Sequence, residues 1–221
     1  NTIPGYNDAI DTNEEAVKIA KSIGYPVMIK ASAGGGGKGL RVAFNDKEAA
    51  EGFAACKTEA MNSFGDDRIF IEKFVEGPRH IEIQILGDSH GNVVYLNERD
   101  CSIQRRYQKV IEESPSIGLP PEMQSAIQDA AVELGKAVNY SSLGTVEFLA
   151  DLENKKFYFI EMNTRLQVEH PVTEMVTDTD LVKEQIRLAA GLELSWQQKD
   201  IKMSGHAIEA RINAEDPRTL I

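Results

Sequence analysis

The sequence has few cysteines, no long apolar run and a deficit of positive charge. Its two cysteines, Cys56 and Cys101, exclude a fold held by disulfide bonds and predict a reducing compartment. No apolar run approaches the roughly 20 residues that cross a bilayer, so no membrane association is expected. Against 35 acidic residues there are 24 Lys and Arg, and the net charge of −11 argues against binding to nucleic acid.

The hydrophobic content sets the size of core that the chain can build. Of 221 residues, 42% are hydrophobic, which is enough for one large domain or two smaller ones. The chain opens on the turn-like NTIPGYND and closes on DPRTLI, with no recognisable terminal signal. We therefore expect it to be a fragment of a longer polypeptide.

The first third of the chain alternates between helix and strand signals. Thr12 and Glu15 have the spacing of a capping box, and Gly24 and Pro26 end the helix that follows. A second helix is predicted to begin at Asn45. The predicted strands are residues 27–31, 40–44 and 68–74. This alternation predicts a small α+β unit of about 75 residues.

After EGP at 76–78 the strand signals become longer and more frequent. Pro120 and Pro121 lead a long helix, and a shorter helix is predicted over 180–190. The final predicted strand, 207–213, contains Arg211. The predicted buried face of the long helix consists of Met123, Ile127, Ala130, Leu134 and Val138.

A predicted hairpin, GTVEFLAD and KFYFIEMN joined by the turn LENK, carries the strongest chemical signal. If Asp151 pairs with about Lys156, then Glu147 falls opposite Glu161, and paired residues lie roughly 5 Å apart. Asn163 points to the same face as Glu161, because side chains alternate along a strand. Two carboxylates and an amide oxygen at one place predict a Mg²⁺ or Mn²⁺ site and argue against Zn²⁺.

The alternative for this hairpin is two glutamates on a solvated sheet face. Phe157 and Phe159 are expected on the same face as Glu161, which disfavours a solvated surface. If the strand continues in extended form through EMNTRLQVEH, Arg165, Gln167 and Glu169 are expected on that face as well. A guanidinium could then bind a small oxyanion, and a further carboxylate could act as a base.

The glycine run SAGGGGKG at 32–39 does not match the Walker A pattern. That pattern requires glycine where this chain has Ser32, and serine or threonine where it has Gly39. It satisfies G-x-G-x-x-G, but a dinucleotide fingerprint opens a helix and a strand is predicted here. We expect a mobile flap between antiparallel strands, with backbone N–H groups and Lys38 available to phosphate oxygens. Lys30 on the adjoining strand is a candidate phosphate ligand. A plain flexible hairpin and a structural lysine are the alternatives.

Three further places carry weaker signals, each with a structural alternative. Glu72 could accept hydrogen bonds from ribose hydroxyls, although such glutamates are often surface residues. His80 precedes an apolar strand and could equally be an ordinary edge histidine. The segment CSIQRRYQK at 101–109 collects positive charge in an acidic protein. It predicts either an anion site that includes Lys109 or a solvated basic turn.

Several of these motifs together resemble one known family. KASAGGGGKGLRV, IEKFVEGPRHIEIQILGD, ERDCSIQRRYQKVIEESPS and FYFIEMNTRLQVEHPVTE are similar to the ATP-grasp core of biotin carboxylases, and the resemblance covers essentially the whole chain. It implies an α+β ATP-grasp fold. The implied division is a lid subdomain at 1–75, a catalytic subdomain at 76–200 and the start of a C-terminal region at 201–221.

The resemblance also implies roles for individual residues. Lys30 and the flap would hold ATP phosphates. The Mg²⁺ or Mn²⁺ ions would be bound by Glu147, Glu161 and Asn163. Glu169 would be the base that deprotonates bicarbonate, and Arg211 would stabilise the carboxyphosphate intermediate or the biotin enolate. The implied bicarbonate residues are Lys109, Arg165, Gln167 and Val168. The implied nucleotide residues are Gly35, Gly36, Gly37, Glu72, Lys73, Val75, His80, Gln104, Tyr107, Glu147, Leu149 and Glu161.

The implied activity is the ATP-dependent carboxylation of biotin that a separate carrier domain holds. A carboxyltransferase β subunit would use the product on an acyl-CoA, in the mitochondrial matrix or, for a bacterial protein, in the cytoplasm. Many members of the family carry histidine where this chain has Tyr107, so the pattern departs there. Two alternatives stay open. One is another ATP-grasp ligase of the carbamoyl phosphate or carboxyaminoimidazole type, and the other is a non-catalytic nucleotide-binding module.

Overall fold

The computed structural model describes residues 1–6, 8–34, 39–216 and 218–219. These residues form two compact units, 1–77 with 106–108 and 78–105 with 109–221. Both units combine helices with antiparallel strands, so the predicted α+β class is confirmed. The flap glycines Gly35, Gly36 and Gly37, with Lys38, lie outside the described residues.

The first unit packs two helices on a small sheet. Among its described residues the strand order is β1-β4-β2-β3, and every pairing is antiparallel. Ile29 and Ile71, on neighbouring strands, are fully buried against Phe53 of the second helix. The elements are β1 (Gly5–Tyr6), α1 (Asn13–Ile23), β2 (Val27–Ala31), β3 (Leu40–Ala43), α2 (Asp46–Phe64) and β4 (Ile69–Lys73).

Both predicted helix starts in this unit are confirmed by their caps. The hydroxyl of Thr12 accepts a hydrogen bond from the backbone N–H of Glu15 at 3.2 Å, and α1 ends at Gly24. At α2 the side chain of Asn45 accepts from the N–H of Glu48 at 3.0 Å. Each cap satisfies an N–H group that has no partner inside its helix.

The second unit is built on a six-stranded antiparallel sheet. The strand order over its described residues is β10-β7-β6-β5-β8-β9. The helix α3 covers one face, where Ile127 packs among Ile81, Ile83 and Phe148. The elements are β5 (Arg79–Gly87), β6 (Val93–Arg105), β7 (Gln108–Ser114), α3 (Pro121–Ala137), β8 (Ser142–Asp151), β9 (Lys156–Asn163), α4 (His170–Thr177), α5 (Leu181–Ala189) and β10 (Ala207–Ala210).

The opposite face of this sheet carries a row of charged side chains across four strands. In the register of the ladders, Arg99 on β6 faces Glu82 on β5, and Glu82 faces Glu147 on β8. Glu147 in turn faces Glu161 on β9. Paired residues of neighbouring strands are close enough for direct side-chain contact. The sheet therefore brings together charges that are up to 79 positions apart, from 82 to 161 in the sequence.

Several predicted boundaries differ from the structure. Residues 101–105 extend β6, so the predicted basic turn is limited to Arg106 and Tyr107, both at positive φ. Val138 is 56% exposed rather than buried, because α3 ends at Ala137. The strand β10 ends at Ala210, before Arg211, and the helix α4 was not predicted.

Two glycines of this sheet, one on β5 and one on β8, closely approach one tyrosine. A Cβ added at Gly87 would lie 2.0 Å from the backbone oxygen of Tyr140, and one at Gly144 would lie 2.8 Å from its ring. Both distances are far below contact, so the two strands need glycine at these positions. Among the helices described, none is long and apolar enough to span a bilayer.

Candidate active site

The hairpin of β8 and β9 contains a β-bulge that decides which residues face the site. Phe148 pairs with Phe159, and an uninterrupted ladder would then place Ile160 opposite Glu147. The register shifts at this point, and Glu161 stands opposite Glu147 instead. A bulge adds one residue to one strand of a pair. The predicted pair of carboxylates is therefore confirmed, but through an irregularity that was not predicted.

The same bulge corrects the prediction for the aromatic residues of β9. Phe157 and Phe159 do not share the face of Glu161. They lie on the α3 face, with ring centroids 5.8 and 6.2 Å from that of Phe148 in edge-to-face contact. Strand alternation is reversed where the extra residue is inserted, so side chains before and after it change faces.

Glu147 is the most densely hydrogen-bonded carboxylate of the charged row. It is only 4% exposed. Its Oε1 atom accepts from Lys109 Nζ at 3.1 Å, Asn163 Nδ2 at 2.7 Å and Gln167 Nε2 at 3.0 Å. Its Oε2 atom lies 2.7 Å from Nε2 of His80. Four of the residues predicted from the sequence thus meet at one carboxylate.

Lys109 is the cation at the centre of this cluster. Its ammonium contacts the carboxylate of Glu82 and lies 2.8 Å from Oε1 of Glu169 as well as 3.1 Å from Glu147. Burial by itself lowers the pKa of Lys109, but the three carboxylates outweigh it and raise the pKa well above its ordinary value. Lys109 therefore stays charged at any physiological pH.

His80 is also held as a cation. Its Nε2 atom lies between Glu147, at 2.7 Å, and Glu82, at 3.2 Å. Burial lowers the pKa of His80, yet the hydrogen bonds to these two carboxylates raise it overall to about 9. The Nδ1 atom is 3.2 Å from the side-chain amide of Gln104. In the absence of a metal ion, His80 is thus a charge partner of these two carboxylates.

Arg99 is a fully buried hub that the sequence analysis did not single out. Its guanidinium is 0% exposed and donates to five side chains at distances from 2.7 to 3.4 Å. The acceptors are Glu82, Gln84, Thr145, Gln167 and Thr173. The available signal for Arg99 was a charged residue within a predicted strand, in the segment LNERD. Glu82 is also 0% exposed within a strand, and the sequence analysis did not single it out either.

Arg99 also determines which way the Gln167 amide faces. It donates to Oε1 of Gln167 at 2.9 Å, so the amide NH₂ of Gln167 is turned towards Glu147. Gln167 is 6% exposed and therefore has little freedom to reverse. Its NH₂ group therefore points into the cluster.

Glu169 lies where two cations converge. It stands at the start of α4 and is 2% exposed. Oε1 accepts from Lys109 at 2.8 Å and Oε2 from Arg211 at 2.9 Å. Arg211 also donates through Nε to Glu112 at 2.6 Å, and its backbone N–H donates to Val110 at 2.9 Å, extending the β10–β7 ladder. The ladder therefore brings the distant Arg211 to Glu169.

The predicted extended path of EMNTRLQVEH is wrong. The strand β9 ends at Asn163, and residues 164–169 form irregular structure and a turn before α4. This path still brings Gln167 and Glu169 into the cluster. It leaves Arg165 exposed, with its guanidinium donating to the carbonyl of Leu166 at 3.1 Å. The helix α4 begins at His170, with Pro171 in its first turn.

Three further predicted residues are partly or largely exposed. Leu149 is half-buried and pairs with His80 across β5 and β8. Val168 is 60% exposed, and Tyr107, in the hairpin turn, is 50% exposed.

In the first unit, Lys30 and Glu72 form an ion pair on adjacent strands. The ammonium of Lys73 donates to the backbone carbonyls of residues 24–25, both at 2.9 Å, and Val75 is buried.

Glu147, Glu161 and Asn163 fit a hard divalent cation. Their side chains offer carboxylate and amide oxygens, which are the ligands that Mg²⁺ and Mn²⁺ prefer. The two carboxylates face each other across the hairpin, and Nδ2 of Asn163 lies 2.7 Å from Glu147 and 3.5 Å from Glu161. A half-turn of this amide would present its oxygen to the same place. The donor set thus agrees with the predicted metal.

Comparison with known proteins places this fold among the ATP-grasp domains of biotin carboxylases. It has a TM-score of 0.93 and 52% identity to the Hydrogenobacter thermophilus 2-oxoglutarate carboxylase biotin carboxylase domain, in complex with MgADP, ADP and bicarbonate. The match covers 99% of this chain and 48% of that one. A family model described as the carbamoyl-phosphate synthase L chain, ATP binding domain, matches residues 1–197. The chain belongs to that family.

Curated relatives give a narrower similarity. The chain is 65% identical over 216 residues to the propionyl-CoA carboxylase alpha chain of Ruegeria pomeroyi, and 62% identical over 217 residues to the mitochondrial alpha chain of Homo sapiens. Each match covers 98% of this chain but only 32% and 30% of the relative. The chain therefore spans about a third of the proteins it resembles. This similarity confirms the predicted resemblance to biotin carboxylases.

Proposed function

We propose that this chain is the ATP-grasp part of the biotin carboxylase in a propionyl-CoA carboxylase. It would use ATP and bicarbonate to carboxylate biotin held on a carrier domain. The observation that carries the proposal is the convergence of Lys109 and Arg211 on the buried carboxylate of Glu169. Two fixed cations around one carboxylate make a site for a small oxyanion beside a base.

In the proposed reaction, Lys109 and the amide NH₂ of Gln167 bind bicarbonate, with Arg165 and Val168 completing the site. Glu169 takes the proton of bicarbonate, and a bicarbonate oxygen forms a bond to the γ-phosphorus of ATP as the bond to ADP breaks. The product, carboxyphosphate, releases CO₂ and phosphate. Arg211 stabilises the negative charge of carboxyphosphate or of the biotin enolate that takes up CO₂. Phosphoryl transfer depends mainly on such positioning and electrostatics.

Glu147, Glu161 and Asn163 would hold Mg²⁺ or Mn²⁺, which neutralises phosphate charge when it is bound. Lys109 and His80 already balance part of the negative charge of Glu147 and Glu82. These contacts hold the two carboxylates in place. The protein's own contribution at this place is thus a preorganised set of oxygen ligands.

For the nucleotide we propose Lys30 and the flap glycines as phosphate ligands. Glu72, Lys73 and Val75 would bind adenine and ribose. The other residues that we propose for the nucleotide are His80, Gln104, Tyr107 and Leu149. We further propose that residues 1–75 act as the lid subdomain, 76–200 as the catalytic subdomain and 201–221 as the start of the C-terminal region.

The proposed partners follow from the chemistry of the product. Carboxybiotin must be carried to an acyl-CoA, so a biotin carboxyl carrier domain and a carboxyltransferase β subunit are expected. The relatives include a mitochondrial and a bacterial protein. We accordingly propose the mitochondrial matrix, or the cytoplasm in a bacterium, as the location.

The test is bicarbonate-dependent ATP hydrolysis by the complete enzyme with Glu169→Gln. We expect turnover to fall by about 10²-fold or more, because general bases contribute on that order. Glu153→Gln, in the exposed hairpin turn, is the matched control and should behave as wild type. Full turnover in the Glu169 variant would exclude Glu169 as the base.

One observation favours a second candidate, since the matching family model takes its description from carbamoyl-phosphate synthase. A ligase of that type also activates bicarbonate with ATP. Free biotin should stimulate ATP cleavage by the proposed biotin carboxylase. Stimulation by ammonia and not by biotin would favour the carbamoyl phosphate activity instead.

A further inference from the structure

Next to Arg211, two glutamates face each other across a strand pair. Glu112 on β7 is directly opposite Glu209 on β10 in the ladder register. Glu112 is 0% exposed, and Glu209 is half-buried. Like charges directly opposite each other destabilise a sheet. Two ionised carboxylates at these positions would therefore repel.

Each glutamate also has an oxygen that lacks a partner. Oε2 of Glu112 and Oε2 of Glu209 are both buried, and neither has a hydrogen-bond partner among the described residues. The other oxygen of Glu112 is occupied, because it accepts from Nε of Arg211 at 2.6 Å. Leaving a buried carboxylate oxygen unpaired costs on the order of 1–3 kcal/mol. A single proton between the two carboxylates would satisfy both oxygens and remove the repulsion.

The charges around the pair favour such a proton. The charged groups that act on the pair are Arg211, which follows β10, Glu169 and His170 at the start of α4, and Arg99 on β6. Burial is the main cause that raises the pKa of both Glu112 and Glu209, and the negative charge of Glu169 adds to it. Arg211 opposes this effect, but it is shared with Glu169. The pKa of each glutamate is nevertheless raised, because burial and Glu169 together outweigh the cations.

We propose that Glu112 and Glu209 share one proton and that this pair positions Arg211, and through it the carboxylate of Glu169. Arg211 spans the two sides, with Nε on Glu112 and Nη2 on Glu169. With one proton, the pair carries a single negative charge and accepts from Nε of Arg211. The Nη2 group of the same guanidinium donates to Glu169. The positioning role rests on the proposed function, whereas the shared proton does not.

The first test detects the proton in the complete enzyme by infrared difference spectroscopy. A buried protonated carboxyl has its own carbonyl band, which should be present near neutral pH and disappear as the pH rises. Glu112→Gln and Glu209→Gln should each remove the band. Glu113→Gln is the matched control, because Glu113 is the next residue of β7, points to the other face and should leave the band unchanged. A band that survives both variants would overturn the shared proton.

The second test separates positioning from general structural support. In Glu112→Gln the amide oxygen still accepts from Arg211 and the NH₂ can donate to Glu209, so the amide imitates the protonated pair. We expect bicarbonate-dependent turnover within about threefold of wild type, since the geometry is kept. Glu112→Leu removes the acceptor, and kcat should fall at least about tenfold with the KM for ATP unchanged. Equal turnover in these two variants would overturn the positioning role.

The two failures can be told apart from failure of the proposed function. If Glu169→Gln retained full turnover while the infrared band behaved as expected, the proposed base would be wrong and the shared proton would stand. If the band were insensitive to both glutamine variants while Glu169→Gln was inactive, the shared proton would be wrong and the proposed base would stand.

Discussion

Replacing Arg99 with methionine should test whether the buried hub holds the second unit together. Methionine has a similar length but donates no hydrogen bond. The change would remove the ion pair with Glu82, in which Nη2 and Oε2 are 3.1 Å apart, from a place where both side chains are 0% exposed. It would also leave the amide oxygens of Gln84 and Gln167 without their donor.

The size of the effect can be worked out from these contacts. Removing one partner of a buried ion pair costs about 3–5 kcal/mol. Each orphaned amide oxygen adds about 1–3 kcal/mol. Glu82 keeps its contacts with Lys109 and His80, so part of the first cost is avoided. We expect a net loss of about 4 kcal/mol, which is a large fraction of the 5–15 kcal/mol typical of a folded domain.

The assay is amide hydrogen exchange in the complete enzyme, read for peptides of β5, β6 and β8. A loss of about 4 kcal/mol corresponds to roughly 10³-fold faster exchange at the most protected amides. Arg105→Met is the matched control. Arg105 is 41% exposed and pairs with Glu215, and an exposed pair contributes no more than about 1 kcal/mol.

Exchange in Arg99→Met within about fivefold of the control would refute this reasoning, since it would mean that the neighbouring cations replace the guanidinium. The exchange rate of Arg99→Lys should lie between those of Arg99→Met and the control. Lysine keeps the charge but lacks the planar guanidinium that reaches several acceptors.

Three further outcomes follow from the site. Because the pKa of His80 is raised from 6.5 to about 9, its stabilisation is complete below pH 6.5 and lost as the pH rises through 9. In EDTA, the unfolding free energy of wild type should fall by up to roughly 3 kcal/mol over that range, and in His80→Gln it should stay nearly level. Gly87→Ala should destabilise the protein by about 1–3 kcal/mol, because the new Cβ meets the backbone oxygen of Tyr140, and a thermal melt measures this. Glu147→Gln should weaken Mn²⁺ binding with nucleotide by about tenfold or more, as followed by electron paramagnetic resonance.

Each of these outcomes has a control. His206→Gln should not flatten the pH dependence, because that residue lies outside the cluster. Ser89→Ala, in the exposed turn after β5, is the control for Gly87→Ala and should have the melting temperature of wild type. Glu153→Gln should bind Mn²⁺ as wild type does. Identical behaviour of a variant and its control would contradict the corresponding prediction.

Local patterns in the sequence were sufficient for much of the fold. The caps at Thr12 and Asn45 and the strand at 108–114 are set by neighbouring residues, so the sequence predicts them correctly. The helix α4 was missed, because its eight residues follow directly on a motif read as extended. Glu112 and Arg99 were missed because their importance comes from residues on other strands.

The sequence by itself determined the chemical inventory: hard oxygen ligands in a hairpin, cations in an acidic chain, and a family resemblance in the motifs around them. The tertiary structure decided which of these groups meet. A one-residue bulge turned Glu161 towards Glu147. The turn before α4 brought Gln167 to Glu147 and Glu169 to Lys109, and it left Arg165 exposed. The physical reason is that register and chain direction depend on packing between distant strands, which no local pattern encodes.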